Sequence, residues 1–293
     1  MRSMASSASS RSIAAIVGVG PNLGRSIARK FAHEGYTVAI LSRDLGIPLF
    51  SLSYFLPRPS SFIQLTLTFT GRLSRFADEI AREEKAQVFA IRIDCSDSRS
   101  VREAFEGVLS LGFVEVLVYN AYQPFANCQP TNFTDIRVEA FEKSVAISSV
   151  GAFLSAQQVL PGMVERGRGT ILFTGCSASL NGIAGYSELC CGKFALRALS
   201  QCLAREFQPL GVHVAHVIID GIVGSPRGPS TSSQQRLLTG EHQHQHQQSG
   251  GGGHGSMDPD ALAQTYWHLH TQDRTAWTQE IDLRPSTLPP RFL

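Results

Sequence analysis

The residues best suited to chemistry near the start of the chain form a glycine-rich run, Gly18-Val19-Gly20-Pro21-Asn22-Leu23-Gly24. An apolar stretch of strand length precedes the run, and an amphipathic stretch follows it. Small residues at such a junction let the backbone turn tightly and direct helix N-terminal amides at a phosphate. The run therefore predicts a dinucleotide pyrophosphate site with contacts at Gly18, Gly20, Asn22, Leu23 and Gly24.

A second position, Arg43, bears on which dinucleotide is bound, because it follows the apolar segment 37–42. Sites for NAD normally place an acid here to accept a hydrogen bond from the ribose 2′-hydroxyl, whereas a planar guanidinium suits a 2′-phosphate. We therefore predict NADP as the cofactor. NAD stays the alternative because Asp44 is adjacent, and an ordinary surface arginine is the other interpretation of Arg43.

These positions need a scaffold, which the hydrophobic pattern of the chain supplies. Apolar runs of strand length alternate with amphipathic stretches, as is typical of βαβ units in a parallel sheet covered on both faces. We expect one α/β domain with a doubly wound parallel sheet of about seven strands, the Rossmann fold. The predicted strands are 13–17, 37–42, 88–94, 116–119, 170–174, 212–219 and 280–283, and the predicted helices are 23–34, 73–84, 98–110, 135–165, 187–210 and 258–270.

The chain divides into segments around this scaffold. Residues 1–12 predict a disordered tail, 13–227 the Rossmann domain, 228–256 a low-complexity segment in the substrate-loop region, and 257–293 a last helix and strand of the same domain. Residues 46–71 are unusually long for a connection between a strand and a helix, so we interpret them as an insertion. Prolines interrupt their apolar residues, which argues against a membrane span there.

Several motifs resemble those of the classical short-chain dehydrogenase/reductase family. The TGxxxGxG loop of that family matches residues 17–24, with Asn22 at the middle glycine, where a left-handed backbone suits asparagine better than other side chains. The resemblance implies an oxidoreductase that transfers a hydride between NADP and a small carbonyl or hydroxyl compound. It also implies further cofactor contacts from Asp94-Cys95 at the adenine edge and from Asn120 in an Asn-Ala-Tyr turn, where the family has Asn-Ala-Gly. Gly221 and Val223 are implied beside the nicotinamide, and Lys193 at the hydroxyls of the nicotinamide ribose.

The catalytic positions depart from the family pattern, in which a tyrosine stands four residues before a lysine. Lys193 occupies the lysine position, but Tyr186 lies seven residues before it, about 10.5 Å along a helix axis. The resemblance therefore implies a degraded catalytic set in which Lys193 is accompanied by Ser177 and Tyr186. The same alignment, without gaps, puts Leu189 at the tyrosine position, Cys176 at the serine position and Ser148 at the asparagine position.

Two functions stay open on this basis. One is the oxidoreductase, and the other is a catalytically weak or inactive NAD(P)-binding protein with a sensor or partner role, since Leu189 cannot transfer a proton. Two catalytic candidates also keep a structural interpretation: Tyr186 as a packing aromatic and Lys193 as a surface lysine.

Composition argues against other classes of protein. A net charge of +2 with scattered Lys and Arg argues against nucleic-acid binding, and no segment predicts a membrane span. Histidines 242, 244 and 246 lie in a Gln- and Gly-rich stretch that we interpret as a solvated linker, so no metal site is expected. The six cysteines lack CxxC spacing and predict reduced thiols in a cytoplasmic protein, with organellar targeting as the alternative. The family resemblance implies a small-molecule substrate and a homo-oligomer.

Overall fold

The computed structural model describes residues 12–43, 48–51, 66–69, 71–123, 130–224 and 256–286. Seven strands form one sheet in which every neighbouring pair is parallel. Four further short strands form two separate pairs. In chain order, the strands of the described residues are β1 (Ile13–Val17), β2 (Thr37–Ser42), β3 (Pro48–Ser51), β4 (Thr66–Phe69), β5 (Val88–Arg92), β6 (Val114–Tyr119), β7 (Gly169–Cys176), β8 (Val212–Ile219), β9 (Ile222–Val223), β10 (Ser256–Met257) and β11 (Glu280–Leu283). The two separate pairs are β3 with β4 and β9 with β10.

The main sheet has the order β11-β8-β7-β6-β1-β2-β5. The chain first builds one half of the sheet outward from β1 through β2 to β5, and then the other half outward from β6 through β7 and β8 to β11. The direction of the connections therefore reverses between β1 and β6. This is the doubly wound Rossmann arrangement predicted from the sequence, and the prediction is confirmed. A crevice opens at the carboxyl ends of β1 and β6, which is where such sheets bind their ligands.

Helices cover both faces of the sheet because each one buries an apolar stripe. On one face, Phe31 packs with residues of the first, second and last helices; on the other, Phe105 packs with residues of the third, fifth and sixth. The helices are α1 (Leu23–His33), α2 (Arg72–Glu84), α3 (Ser98–Ser110), α4 (Val138–Val145), α5 (Gly151–Glu165), α6 (Ser187–Phe207) and α7 (Pro259–His270).

The prediction of one continuous helix over 135–165 is wrong. The α-helix starts at Val138, and a π turn at Ala146–Val150 separates α4 from α5. Beyond the wide turn, Gly151 packs closely against β6, since a Cβ there would lie 2.5 Å from the Tyr119 hydroxyl oxygen. Hydrophobic periodicity does not reveal such a turn, because a π turn inserts a single extra residue into the helix and each half keeps its own helical pattern of apolar residues.

Within residues 46–71, β3 and β4 pair antiparallel with each other and stand apart from the main sheet. The interpretation of this segment as an insertion stays a prediction. The N-terminal tail up to residue 11, and the histidine-containing stretch within 225–255, lie outside the described residues.

Candidate functional site

The glycine-rich run forms the turn between β1 and α1, beside the crevice. Gly18 has φ +84°, and a Cβ there would collide with the backbone of Ala121. Asn120 holds the two sides together, since its Nδ2 donates to the Gly18 carbonyl at 3.0 Å and its amide donates to the Val17 carbonyl at 2.9 Å. Both the left-handed backbone and the close approach require glycine at position 18.

Glycine occupies positions 20 and 24 for different reasons. A Cβ on Gly24 would lie 2.8 Å from the Val19 Cα, so the first turn of α1 packs tightly on the loop. A Cβ on Gly20 would meet nothing within 4 Å, and its φ lies outside the left-handed region. Neither packing nor backbone geometry therefore requires glycine at position 20, whereas a phosphate approaching the backbone would.

Asn22 does not adopt the left-handed backbone that we expected. Its φ is −99° and its ψ is −111°, and the left-handed residue of this loop is Gly18. Asn22 directly precedes α1, and its Nδ2 donates to the Val223 carbonyl at 3.4 Å. The side chain thus ties the glycine loop to the segment after β8, and the local backbone does not need glycine at position 22.

One cavity of about 310 Å³, here called the outer cavity, extends from the glycine loop across the ends of β2 and β5. Arg43 and Arg72 both line it, together with Asp94 and Asn120. Arg43 was predicted from the sequence, whereas Arg72, the first residue of α2, was not. Removal of residues 46–71 would leave Arg72 three residues after Arg43, and this spacing could have indicated the pair.

Asp94 and Cys95 also line the outer cavity. Asp94 Oδ1 accepts hydrogen bonds from the Ser96 amide at 2.9 Å and the Ser96 hydroxyl at 2.6 Å. Burial alone would raise the pKa of Asp94, but these bonds and the charges of Arg43 and Lys143 hold it below its ordinary value. Burial raises the pKa of the Cys95 thiol to about 11, so Cys95 contributes a neutral wall.

A second cavity of about 410 Å³, the inner cavity, adjoins the first and lies above the ends of β7 and β8. Lys193 and Leu189 line it from α6, and Cys176 lines it from β7. The structure thus brings together the residues that the alignment put at the family's lysine, tyrosine and serine positions. Gly221 and Val223 close the cavity from the segment after β8, where β9 pairs with β10.

Lys193 is only 5% exposed, so the interpretation as a surface lysine is wrong. Its Nζ donates to the Thr174 carbonyl at 2.8 Å. Burial lowers the pKa of Lys193 because the charged form loses its hydration, while nearby Cys176 opposes that effect. The cation is therefore held at the floor of the inner cavity by β7.

The structure does not bring the other two catalytic candidates to Lys193. Ser177 begins a short 3₁₀ turn after β7, and Tyr186 directly precedes α6, its carbonyl accepting from the Cys190 amide at 2.9 Å. Neither residue lines the inner or outer cavity. Ser148 is fully buried where α6 crosses the π turn, since a Cβ on Gly192 would lie 2.9 Å from the Ser148 Cβ.

Tyr122, two residues after Asn120, lies in the cleft, although the sequence had predicted no role for it. It lines both cavities, its side chain is 51% exposed, and the Lys193 Nζ lies 5.9 Å from the centre of its ring. The resemblance placed Tyr122 where the family has a glycine. This departure from the family motif could have indicated a role for Tyr122, because a large phenol side chain at a glycine position beside the cleft changes the shape of the cleft if it points inward.

Across the described parts of the chain, no three His, Cys, Asp or Glu side chains are grouped so that they could hold a metal ion. Among the same residues, no helix combines the length and apolar character needed to cross a membrane. The five cysteines in these parts, Cys95, Cys176, Cys190, Cys191 and Cys202, are free thiols.

A family model described as short chain dehydrogenase matches residues 64–235. The 3-ketodihydrosphingosine reductase of Bos taurus is 29% identical over 165 residues, which cover 54% of this chain and 48% of that protein. A protein of Xanthobacter autotrophicus named inactive 2-(S)-hydroxypropyl-CoM dehydrogenase 2 is 31% identical over 151 residues, which cover 51% of this chain and 63% of that protein. The chain thus spans less than two thirds of either relative.

Among solved structures, the short-chain dehydrogenase from Rhodopseudomonas palustris is similar over nearly the whole chain. The two superpose with a TM-score of 0.68 at 25% sequence identity, covering 94% of this chain and 98% of the other. With 94% of this chain covered, the similarity extends well beyond residues 64–235, which the family model matches.

Proposed function

The chain belongs to the short-chain dehydrogenase family, and from this premise we propose that it is an NADP-dependent oxidoreductase. Its reaction is hydride transfer between nicotinamide and a small carbonyl or hydroxyl compound. The observation that carries the proposal is the pair of adjoining cavities, which share the glycine loop, Asn120 and Tyr122. They lie at the edge of a doubly wound sheet where dinucleotides bind.

The residues present fit a dinucleotide along this cleft. The loop from Gly18 to Gly24 would hold the pyrophosphate, chiefly through the amides of Gly20, Asn22, Leu23 and Gly24 at the start of α1. The Gly18 and Val19 amides donate to the Leu41 carbonyl instead. Asp94 and Cys95 would border the adenine, while Asn120, Lys193, Gly221 and Val223 would border the nicotinamide half. When bound, NADPH supplies the hydride.

The choice of NADP over NAD rests on two guanidinium groups in the outer cavity. Arg43 and Arg72 approach it from the end of β2 and the start of α2. A 2′-phosphate would add a dianion that such planar donors bind through charge-assisted hydrogen bonds. Asp44, the basis for the NAD alternative, lies outside the described residues.

Fluorescence titration of the purified protein with NADPH and NADH tests this assignment. Arg43→Ala and Arg72→Ala should each weaken NADPH binding about tenfold or more, because a hydrogen bond to a charged group contributes roughly 1.5–3 kcal/mol. NADH binding should stay unchanged. Arg99→Ala is the matched control, since Arg99 pairs with Glu103 on the surface of α3, away from both cavities. Equal losses for both nucleotides would contradict a 2′-phosphate site.

A second function, an NAD(P)-binding protein with little or no turnover, is favoured by one observation. Leu189 lines the inner cavity at the place where the family has its tyrosine, and an alkyl side chain cannot transfer a proton. A protein that binds NADPH with the selectivity above, yet oxidises it with no carbonyl compound in a broad panel, would support this second function over the first.

Assembly and location belong to the same proposal. A homo-oligomer is supported by apolar side chains that α5, α6 and the π turn leave partly exposed, namely Phe153, Phe194 and Val150. Light scattering would detect the dimer or larger species expected, and a monomer at all concentrations would contradict it. The free thiols favour a cytoplasmic location, which cell fractionation would check.

A further inference from the structure

The inner cavity needs a proton donor, and Leu189 does not supply one. Among the described residues that line this cavity, four side chains carry a proton on oxygen, sulfur or a charged nitrogen that could be released: Tyr122, Thr174, Cys176 and Lys193. The contacts of these four distinguish them.

Two of the four are already engaged elsewhere. The Thr174 hydroxyl is hydrogen-bonded to the Tyr266 hydroxyl at 2.7 Å, on the α7 face of the sheet. The Lys193 ammonium is buried and donates to the Thr174 carbonyl at 2.8 Å. Proton release from Lys193 would weaken the contact that positions it, because a neutral amine donates a weaker hydrogen bond than an ammonium. Cys176 remains, but a thiol is a weak hydrogen-bond donor.

Tyr122 is accessible from the cleft and lies near the Lys193 cation. It comes from the loop after β6, lines both cavities, and is 51% exposed, so a bound molecule can reach it. The Lys193 Nζ stands 5.9 Å from its ring centre. A cation at this distance attracts the electron-rich face of the ring, and the attraction grows when the ring carries a phenolate charge.

We propose that Tyr122 is the catalytic proton donor of this protein, bringing a phenol to Lys193 from the loop after β6 rather than from α6. The inference rests on the proposed oxidoreductase function. In the reductive direction the carbonyl carbon accepts the hydride while the C=O π electrons move to oxygen. Tyr122 Oη gives its proton to that oxygen, forming the alcohol, and the phenolate then takes a proton from water. NADPH is oxidised to NADP⁺ as the carbonyl is reduced.

The test is the steady-state rate of NADPH oxidation with the best carbonyl substrate found in a panel, measured for Tyr122→Phe. Removal of a general acid costs about 10²- to 10⁴-fold, so kcat should fall by at least about 100-fold. NADPH affinity, measured by titration, should change less than about threefold, because the ring is kept. Tyr186→Phe is the matched comparison, since that tyrosine lies outside both cavities, and it should keep the full rate.

A rescue variant distinguishes the loss of a proton donor from a general disturbance of the cavity. Leu189→Tyr in the Tyr122→Phe background places a phenol four residues before Lys193, one helical turn away, and should recover at least about tenfold of the lost rate. Turnover that survives Tyr122→Phe, or that is lost in Tyr186→Phe instead, overturns the role of Tyr122 while leaving the proposed function intact. Unmodified protein that binds NADPH but reduces no carbonyl overturns both.

Discussion

The outer and inner cavities adjoin along one edge of the same sheet, yet they differ in how their chemistry is built. The outer cavity depends on backbone amides, on the turn at Gly18, and on two arginines that approach from different elements. The inner cavity depends on a few side chains around Lys193, and the alignment finds only that lysine unchanged. Main-chain binding would tolerate a replacement such as Asn22, whereas proton transfer from the family's position on α6 needs a hydroxyl that Leu189 lacks. Under the proposed function, cofactor binding and turnover are therefore separable.

The largest effects are expected from substitutions in the glycine loop. Gly18→Ala forces a side chain into a left-handed backbone and against the Ala121 backbone, which should lower the free energy of unfolding by about 2–4 kcal/mol and remove NADPH binding. Gly20→Ala meets no atom within 4 Å and should leave stability unchanged while still weakening NADPH binding about tenfold or more. Chemical denaturation and nucleotide titration measure the two effects.

Gly167→Ala provides the control for left-handed strain alone, because Gly167 has φ +59° and open space around its Cβ position. It should cost about 1–2 kcal/mol in unfolding free energy without changing NADPH affinity. If the Gly20→Ala variant bound NADPH as tightly as the unmodified protein, no phosphate would approach the backbone at position 20, and the glycine loop would not be the pyrophosphate site.

A smaller effect is expected from restoring the family residue in the inner cavity. Leu189→Tyr adds a second phenol one turn from Lys193 and should raise kcat about tenfold, with NADPH affinity unchanged. Leu189→Phe has a similar ring without the hydroxyl and should show no gain. An equal response to both variants would mean that cavity shape rather than proton supply limits the rate.

The smallest effect concerns the support beneath the inner cavity. Glu280 on β11 accepts hydrogen bonds from Arg197 at 2.7 and 2.8 Å and contacts the buried His216 at 3.0 Å. The Arg197 hydrogen bond lowers the pKa of Glu280 below its unfolded value of about 4.3. The contribution to stability is then present above that value and lost as pH falls through the folded pKa.

Glu280→Gln should therefore reduce the free energy of unfolding by less than about 1 kcal/mol at pH 7, because the pair is partly exposed, and the difference should disappear at a pH low enough to protonate Glu280 in the folded protein. Thermal melts at the two pH values check this. Glu103→Gln, whose partner Arg99 is 84% exposed, should have no measurable effect at either pH. A difference for Glu280→Gln that persisted at low pH would point to packing rather than charge.

Much of the fold could be predicted because apolar runs and glycine turns are local signals. The segments 13–17, 37–42, 212–219 and 280–283 form strands with the predicted bounds. The glycine loop and Arg43 were found because each directly follows a strand. Arg72 and the π turn were missed, since one depends on a contact across a long connection and the other leaves periodicity unchanged. Tyr122 carried a signal only as a departure from a motif, and its proximity to Lys193 is a tertiary contact that spacing does not reveal.

The short pairing of β9 with β10 has a consequence for how this protein could diversify. Met257 and Val223 are partners in that pairing, so the two ends of the intervening 33-residue stretch are fastened side by side at the mouth of the inner cavity. Once the ends of a segment are joined, the entropy cost of closure grows only with the logarithm of its length, about 0.6 kcal/mol per doubling. Length and composition can therefore change there with little effect on the sheet. Under the proposed function, changes selected for new substrates, whether natural or in a mutant library, should therefore be tolerated best between these two strands.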